Sequence, residues 1–285
     1  MKSSVGKKTN KNSKKARKAA PKCWHTIKYV LLLTIWVLCS TIVSQIIIGL
    51  VMDLFVGLDQ LNKPVLSGIY SLATYMLTLV MVIIVPPIAK EKWFNNTKPK
   101  NKKEPKAKKE QQPEKAKQVS VSNVKERERL GLNGLPTWTD IGLSPVAYIA
   151  STILAIGIVY LFSLFPWFNA EESQSTGFGP YMGTGERAIA FLVLVVLAPI
   201  VEEVIFRGWL YGRLRARMGV VGAILITSTL FALLHFQWNV SVNVFALSVV
   251  ACVLREITGT IYAGILTHMI KNGVAFYLLY VLGFG

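Results

Sequence analysis

Long apolar runs are the feature that most restricts the folds open to this 285-residue sequence, in which 52% of the residues are hydrophobic. A run of about 20 apolar residues is long enough to cross the hydrocarbon core of a bilayer as a helix. We therefore expect an all-α fold, a polytopic membrane bundle of about eight transmembrane helices. The predicted spans lie near 29–52, 66–89, 145–165, 187–211, 219–238, 241–254, 258–272 and 273–284.

Positive charge is concentrated in two segments. Residues 1–23 carry nine basic and no acidic side chains, and residues 90–129 carry fourteen basic and six acidic ones, which together account for the net charge of +17. Lys and Arg accumulate in cytoplasmic segments beside membrane spans. We expect a multi-pass protein of the cell membrane with both termini in the cytoplasm. The lipid bilayer is the expected surrounding, and no nucleic acid is expected as a partner.

Composition divides the chain into four parts. Residues 1–28 are predicted to form a basic cytoplasmic tail, and residues 29–89 an N-terminal transmembrane hairpin. The stretch that follows has few apolar residues, which predicts a basic, disordered cytoplasmic linker over 90–135. Residues 136–285 contain the remaining spans and form a C-terminal block.

Three charged residues, Glu202, Glu203 and Arg207, lie in an apolar run that otherwise predicts a spanning helix. An ionisable side chain in the hydrocarbon core costs about 2.5–3.5 kcal/mol on insertion scales, so such residues most often mark chemistry or transport. Glu203 and Arg207 are four residues apart and share a helix face, which predicts an ion pair between them. Glu202 then lacks a partner on its own helix.

Further polar residues follow on later spans. If 218–219 is the turn after the acidic span, Glu203 and His235 come to the same depth, each about 24 Å of helix from the turn. His268 and Asn272 are also four residues apart and share a helix face. The sequence does not show whether that last pair packs into the same cavity.

Other charged residues near the predicted span ends receive a different interpretation. Long side chains can bury their apolar stems while the charge stays in water. We interpret four residues as interfacial charges of this kind: Lys28, Arg255, Glu256 and Lys271.

A membrane cavity lined by carboxylates, imidazoles and an amide would contain the groups that amide hydrolysis requires. A carboxylate removed from bulk water can act as a general base toward water, while His and Asn donors can stabilise an oxyanion. No G-x-S-x-G nucleophile elbow occurs in the sequence. A zinc ion held by Glu202, His235 and His268 is a possible metal-dependent variant, although H-E-x-x-H is absent.

Three motifs, taken in chain order, resemble those of a known family. EEVIFRG, FALLH and HMIKN are similar to E-E-x-x-x-R, F-x-x-x-H and H-x-x-x-N of the CPBP intramembrane proteases, which include type II CAAX prenyl endopeptidases and bacteriocin-processing or self-immunity proteins. The resemblance covers roughly residues 185–280. It implies that 136–285 is an intramembrane protease domain and that the protein is a membrane-embedded endopeptidase with a peptide or protein substrate.

The resemblance also implies roles for individual residues. Glu202 would activate water with the help of His235, and Glu203 and Arg207 would organise the site. The histidine and asparagine of the third motif would form the oxyanion pocket. A glutamate-type mechanism and a metal-dependent one both remain open at this point.

Two other classes of function fit the same residues. A non-catalytic membrane immunity or scaffold protein would keep the cavity but act by binding a peptide partner. An ion-coupled transporter would use the acids to relay protons, although the sequence lacks the paired, Gly/Pro-broken spans typical of transporters built from two matching halves. Loss of function on Glu202→Ala would favour the enzyme over the binding protein.

Overall fold

The structure is a computed structural model that describes residues 6–54, 63–86, 128–170, 178–179 and 182–283, with side chains from residue 26 onward. These residues form helices and connecting turns, and no strand occurs among them. Most of the predicted linker 90–135, and the side chains of most of the predicted tail 1–28, lie outside the described residues.

Successive α- and π-helical segments join into continuous helices that we label in chain order. They are α1 Gly6–Leu54, α2 Lys63–Ile84, α3 Trp138–Phe162, α4 Thr184–Arg215, α5 Val220–Leu233, α6 Trp238–Thr258 and α7 Tyr262–Phe276, which continues as a π-helical turn over Tyr277–Val281. Within the described residues five of these helices are long and apolar enough to cross a membrane: α1 from Thr26 onward, α2, α3, α4 and α6. The predicted all-α membrane bundle is confirmed.

The last two predicted spans, 258–272 and 273–284, are a single helix in the structure. α6 ends at Gly259, whose φ of 72° is the left-handed conformation that favours glycine at a helix C-terminus. α7 then runs without a break through Asn272 and Gly273. The sequence analysis placed a boundary between two spans there. In the structure the Asn272 side chain is hydrogen-bonded inside the bundle, so the helix continues.

The two ends of α7 lie at opposite ends of the bundle. The backbone N–H of Ile261, just before α7, donates to the carbonyl of Gly131 at 3.0 Å. At the other end, the Tyr280 hydroxyl donates to the carbonyl of Phe178, in the loop after α3, at 3.5 Å. The prediction of two cytoplasmic termini assumed that the chain crosses back after residue 272. The structure has one helix there in place of two spans, and the cytoplasmic position of both termini stays a prediction.

The core lies where α4 is surrounded by the other helices. α6 packs against α3 and α5, and α7 packs against α3, α6 and α4. The hairpin of α1 and α2 joins the same hydrophobic core, since Val37 and Val82 are fully buried in the cluster that contains Trp209 and Phe231. The hairpin is therefore packed against the helix that carries the acidic pair.

α4 is interrupted by two π-helical stretches, Leu192–Leu197 and Val204–Tyr211, which flank the α-helical turn Ala198–Glu203. Such stretches are frequent at functional sites. Pro199 accounts for part of the first interruption, because proline has no N–H to continue the helical hydrogen bonds. The two glutamates thus lie on a short α-helical turn between irregular segments.

Candidate active site

Glu203 and Arg207 form the predicted ion pair inside the bundle. Glu203 Oε1 lies 2.8 Å from Arg207 Nη1, and both side chains are fully buried. The Arg207 guanidinium lies over the ring of Phe231, 4.5 Å from its centroid. The sequence interpretation of this pair is confirmed, and its charges compensate each other away from water.

His268, on α7, lies between the two glutamates. Its Nδ1 is 3.1 Å from Glu203 Oε1, and its Nε2 is 3.8 Å from Glu202 Oε2. A carboxylate oxygen accepts hydrogen bonds, so Nδ1 carries a proton and donates it to Glu203. Packing of α7 on α4 therefore brings the third motif to the acidic pair, a placement that the sequence left open.

His235 approaches the site from the end of α5. The sequence analysis placed it inside a span over 219–238, whereas α5 ends at Leu233 and His235 lies in the following turn. Its Nδ1 is 2.9 Å from the carbonyl oxygen of Phe231. Because a carbonyl only accepts hydrogen bonds, Nδ1 donates and the lone pair of the neutral ring is on Nε2. His235 therefore has a nitrogen free to accept a proton.

Phe231 joins these groups by packing. Its ring centroid lies 5.1 Å from that of His235 and 5.9 Å from that of His268, with the rings edge-on in both pairs. Together with the guanidinium of Arg207 over its face, this leaves Phe231 only 1% exposed. The phenylalanine of the second motif thus orients the imidazoles by contact.

Tyr75, on α2, is a site residue that the sequence analysis missed. Its hydroxyl donates to Glu202 Oε1 at 3.0 Å. A weak signal was present, because Ser71, Thr74, Tyr75 and Thr78 recur at three- and four-residue spacing in an apolar span and so share a helix face. Nothing in that spacing showed which helix this face would meet.

A cavity of about 250 Å³ opens beside Glu202. One side is formed by α4 and α5, with Glu202, Phe206 and His235 among its lining residues, and the other side by α1 and α2. The side chain of Glu202 is 16% exposed, whereas that of Glu203 is fully buried. Glu202 is therefore the carboxylate of the pair that a molecule in the cavity can reach.

Asn272 holds α7 to the irregular part of α4. Its Nδ2 donates to the carbonyl of Leu194 at 2.8 Å. In the π-helical stretch the N–H of Ala198 donates to the carbonyl of Val193, five residues earlier. The same spacing would pair the carbonyl of Leu194 with the N–H of residue 199, but this residue is proline and has no N–H. Asn272 supplies the missing donor. An amide nitrogen carries two hydrogens, and the second is not used by this bond.

The sequence of α4 to α7 matches a described protein family. Residues 184–274 match the model of the type II CAAX prenyl endopeptidase Rce1-like family. We call this matched segment the Rce1-like domain. No curated protein and no solved structure matches the chain. The match covers about a third of the chain, and the family that it names consists of type II CAAX prenyl endopeptidases.

The Rce1-like domain contains all three motifs, but it does not include every part of the site. The match begins with the first residue of α4 and ends within α7. Tyr75 and the α1–α2 side of the cavity lie outside it. The surroundings of Glu202 are therefore completed by a segment for which the family match gives no information.

Gly264 allows α7 to approach the acidic pair of the Rce1-like domain. A Cβ atom at this position would lie 3.1 Å from Glu203 Oε2 and 3.5 Å from the Cβ of Ala251. The first distance is shorter than an ordinary van der Waals contact, so a side chain at this position would push against the Glu203 carboxylate. Glycine at 264 thus permits the close packing that brings His268 to Glu203.

One residue interpreted as an interfacial charge, Arg255, is placed differently in the structure. Arg255 donates hydrogen bonds to the carbonyl oxygens of Arg129, Leu130 and Arg207, and so ties the segment before α3 to α4. The interpretation of Arg255 failed because these contacts join residues far apart in sequence.

The zinc site considered in the sequence analysis would use Glu202, His235 and His268 as ligands. Among the described residues, no three His, Cys, Asp or Glu side chains are grouped so that they could hold a metal ion. Glu202, His235 and His268 thus do not form a ready ligand set in this arrangement.

Proposed function

We propose that the protein is an intramembrane endopeptidase in which Glu202 activates water for attack on a peptide bond. The observation that carries this proposal is the contrast between two adjacent carboxylates. Glu203 is buried in an ion pair, whereas Glu202 lines the cavity together with His235. A general base must reach the proton that it removes, and Glu202 is the carboxylate that meets this condition.

The reaction follows from this arrangement. Glu202 takes a proton from water, and the hydroxide forms a bond to the carbonyl carbon of the substrate, which gives a tetrahedral oxyanion. The C–N bond then breaks, the carbonyl re-forms, and Glu202 returns the proton to the leaving amine. His235 assists through the free Nε2 of its neutral ring, and the ion pair of Glu203 with Arg207 fixes the helical turn that carries Glu202.

Stabilisation of the oxyanion is assigned to His268 and Asn272 by the resemblance of the third motif. His268 is within 3.8 Å of Glu202, which supports a place beside the reacting atoms. Because its Nδ1 donates to Glu203, the hydrogen bond to the oxyanion would come from Nε2–H of a ring protonated on both nitrogens. The second N–H of the Asn272 amide is the donor that this role requires. Donors aimed at a developing oxyanion are among the largest contributions to acyl-transfer catalysis.

The proposed substrate is a peptide segment that enters the cavity from the cytoplasmic side of the cell membrane. A CAAX-like tail and a bacteriocin or leader peptide are the two kinds of substrate that the motifs imply. The cytoplasmic side is supported by the basic residues at 1–23 and 90–129.

The test compares protein termini in membranes of cells that produce the full-length wild-type protein or Glu202→Ala. Hydrolysis predicts termini that are present with the wild type and absent with the variant, at equal amounts of the two proteins. A protein that acts only by binding a peptide predicts the same set of termini with both and retained biological activity of the variant. That second result would overturn the proposed reaction.

Tyr75→Phe is expected to lower kcat/KM about tenfold, mainly through kcat. The substitution removes the hydrogen bond to Glu202, and hydrogen bonds to charged groups contribute about 1.5–3 kcal/mol, where about 1.4 kcal/mol corresponds to a tenfold rate change. The measurement is steady-state kinetics of the purified protein in lipid, with a substrate found in the termini experiment.

Tyr70→Phe is the matched control for this prediction. The Tyr70 hydroxyl lines the same cavity but donates to a backbone carbonyl of α1 at 3.4 Å. We expect its kcat to remain near the wild-type value. Equal kinetic effects of the two substitutions would show that the contact between Tyr75 and Glu202 has no special part in the reaction.

A further inference from the structure

The α1–α2 side of the cavity is rich in hydrogen-bonding side chains. Besides Tyr75, its polar lining residues are Thr41, Gln45, Tyr70, Ser71, Thr74 and Thr78. They lie on two apolar spans and face Glu202 and His235 across the cavity. We call this set, with Tyr75, the hairpin wall. So many polar groups exceed what is needed to pack two helices together.

Several hydroxyls of the hairpin wall are already used within the helices. Those of Thr41 and Thr78 donate to carbonyl oxygens one turn earlier, at 3.0 and 2.8 Å. The hydroxyl of Thr74 differs, because its oxygen is buried and has no hydrogen-bond partner among the described residues. An unpaired buried hydroxyl is unfavourable. Thr74 lines the cavity, so a rotation of its side chain about χ1 would bring the hydroxyl to a partner there and remove this cost.

We infer that the hairpin wall binds the main chain of the substrate in an extended conformation, with Thr74 as a hydrogen-bonding partner. This inference rests on the proposed function. A peptide in a membrane cavity must have its backbone N–H and C=O groups satisfied. A helix satisfies its own groups and is about 10–12 Å wide with side chains. An extended segment leaves those groups free, and a hydroxyl can both donate and accept.

Binding through the main chain and recognition of a side chain predict different effects of losing the Thr74 hydroxyl. Every peptide presents the same N–H and C=O groups, so loss of the Thr74 hydroxyl affects all cleavage sites to a similar extent. A pocket for one kind of side chain would instead affect the sites that carry that side chain. The pattern of losses across sites therefore separates the two modes of recognition.

The experiment measures each Glu202-dependent terminus in cells that produce full-length Thr74→Val. Valine keeps the shape of threonine and removes the hydroxyl. We expect every such terminus to decrease about two- to tenfold, the range for one net hydrogen bond. Thr74→Ser keeps the hydroxyl and is expected to cleave at the wild-type level, which separates the hydrogen bond from packing. Thr74→Ala replaces the valine variant if the latter does not accumulate.

Thr152→Val is the control, because the Thr152 hydroxyl lies on α3, does not line the cavity, and donates to the carbonyl of Tyr148 in its own helix at 2.9 Å. It is expected to leave the termini unchanged. Unchanged termini in Thr74→Val would show that this hydroxyl contacts water only, and losses confined to one class of sites would show side-chain recognition. Either result overturns the inference while the proposed function stands. If no terminus depends on Glu202, the proposed function fails and the inference fails with it.

Discussion

Replacing Glu202 with glutamine is expected to lower the rate of peptide hydrolysis about 10²–10⁴-fold, the usual contribution of a general acid–base group. Glutamine has nearly the same shape and keeps an oxygen that can accept the hydrogen bond from Tyr75. It cannot take a proton from water at neutral pH. The measurement is kcat/KM of the purified full-length protein in lipid, together with its thermal unfolding temperature.

The expected result combines a large kinetic loss with little change in stability, because Glu202 is outside the buried ion pair. Glu256→Gln provides the control. Glu256 lies near the end of α6 and contacts Tyr211 and Arg215, away from the cavity. Its replacement is expected to leave kcat/KM near the wild-type value. Full activity of Glu202→Gln would show that another group activates the water.

Replacing Arg207 with methionine is expected to destabilise the protein by about 3–5 kcal/mol, the typical cost of removing one partner of a buried ion pair. Methionine roughly fills the space of the arginine stem but leaves the carboxylate of Glu203 buried without its guanidinium. The contact of the guanidinium with Phe231 is lost as well. The measurement is denaturant or thermal unfolding of the purified protein in a fixed detergent.

Arg215→Met is the matched control, because Arg215 and Glu256 form an ion pair at 3.1 Å whose side chains are 41% and 31% exposed. Exposed pairs contribute about 0–1 kcal/mol, so little change in stability is expected. Adding Glu203→Gln to Arg207→Met removes the unpaired charge and is expected to recover part of the lost stability. Equal destabilisation by the two arginine substitutions would contradict this account of the buried pair.

The sequence predicted the spans well where a long apolar run forms one helix. α4 and α6 overlap the predicted spans 187–211 and 241–254 and extend beyond them at both ends. The prediction failed at residues 272–273, where two spans were predicted and the structure has one helix. Whether a polar side chain ends a helix depends on the partner that it finds, and here the partner is a carbonyl of α4.

In the site, too, contacts within one helix could be predicted from the sequence, whereas contacts between helices could not. The ion pair of Glu203 and Arg207 could be predicted because both residues lie on one helix face. The contact of Tyr75 with Glu202 joins positions 127 residues apart. It depends on the rotation and depth of α2 against α4, which the apolar pattern of α2 does not specify.

The sequence by itself determined that this chain forms membrane-spanning helices, that an acidic pair and an arginine lie within one of them, and that the three motifs follow in order. These are properties of helix geometry and of the cost of charge in lipid. The tertiary structure decided that His268 lies between the two glutamates and that the hairpin completes the cavity. Only packing fixes such contacts, because helices with the same apolar pattern can turn many different faces toward one another.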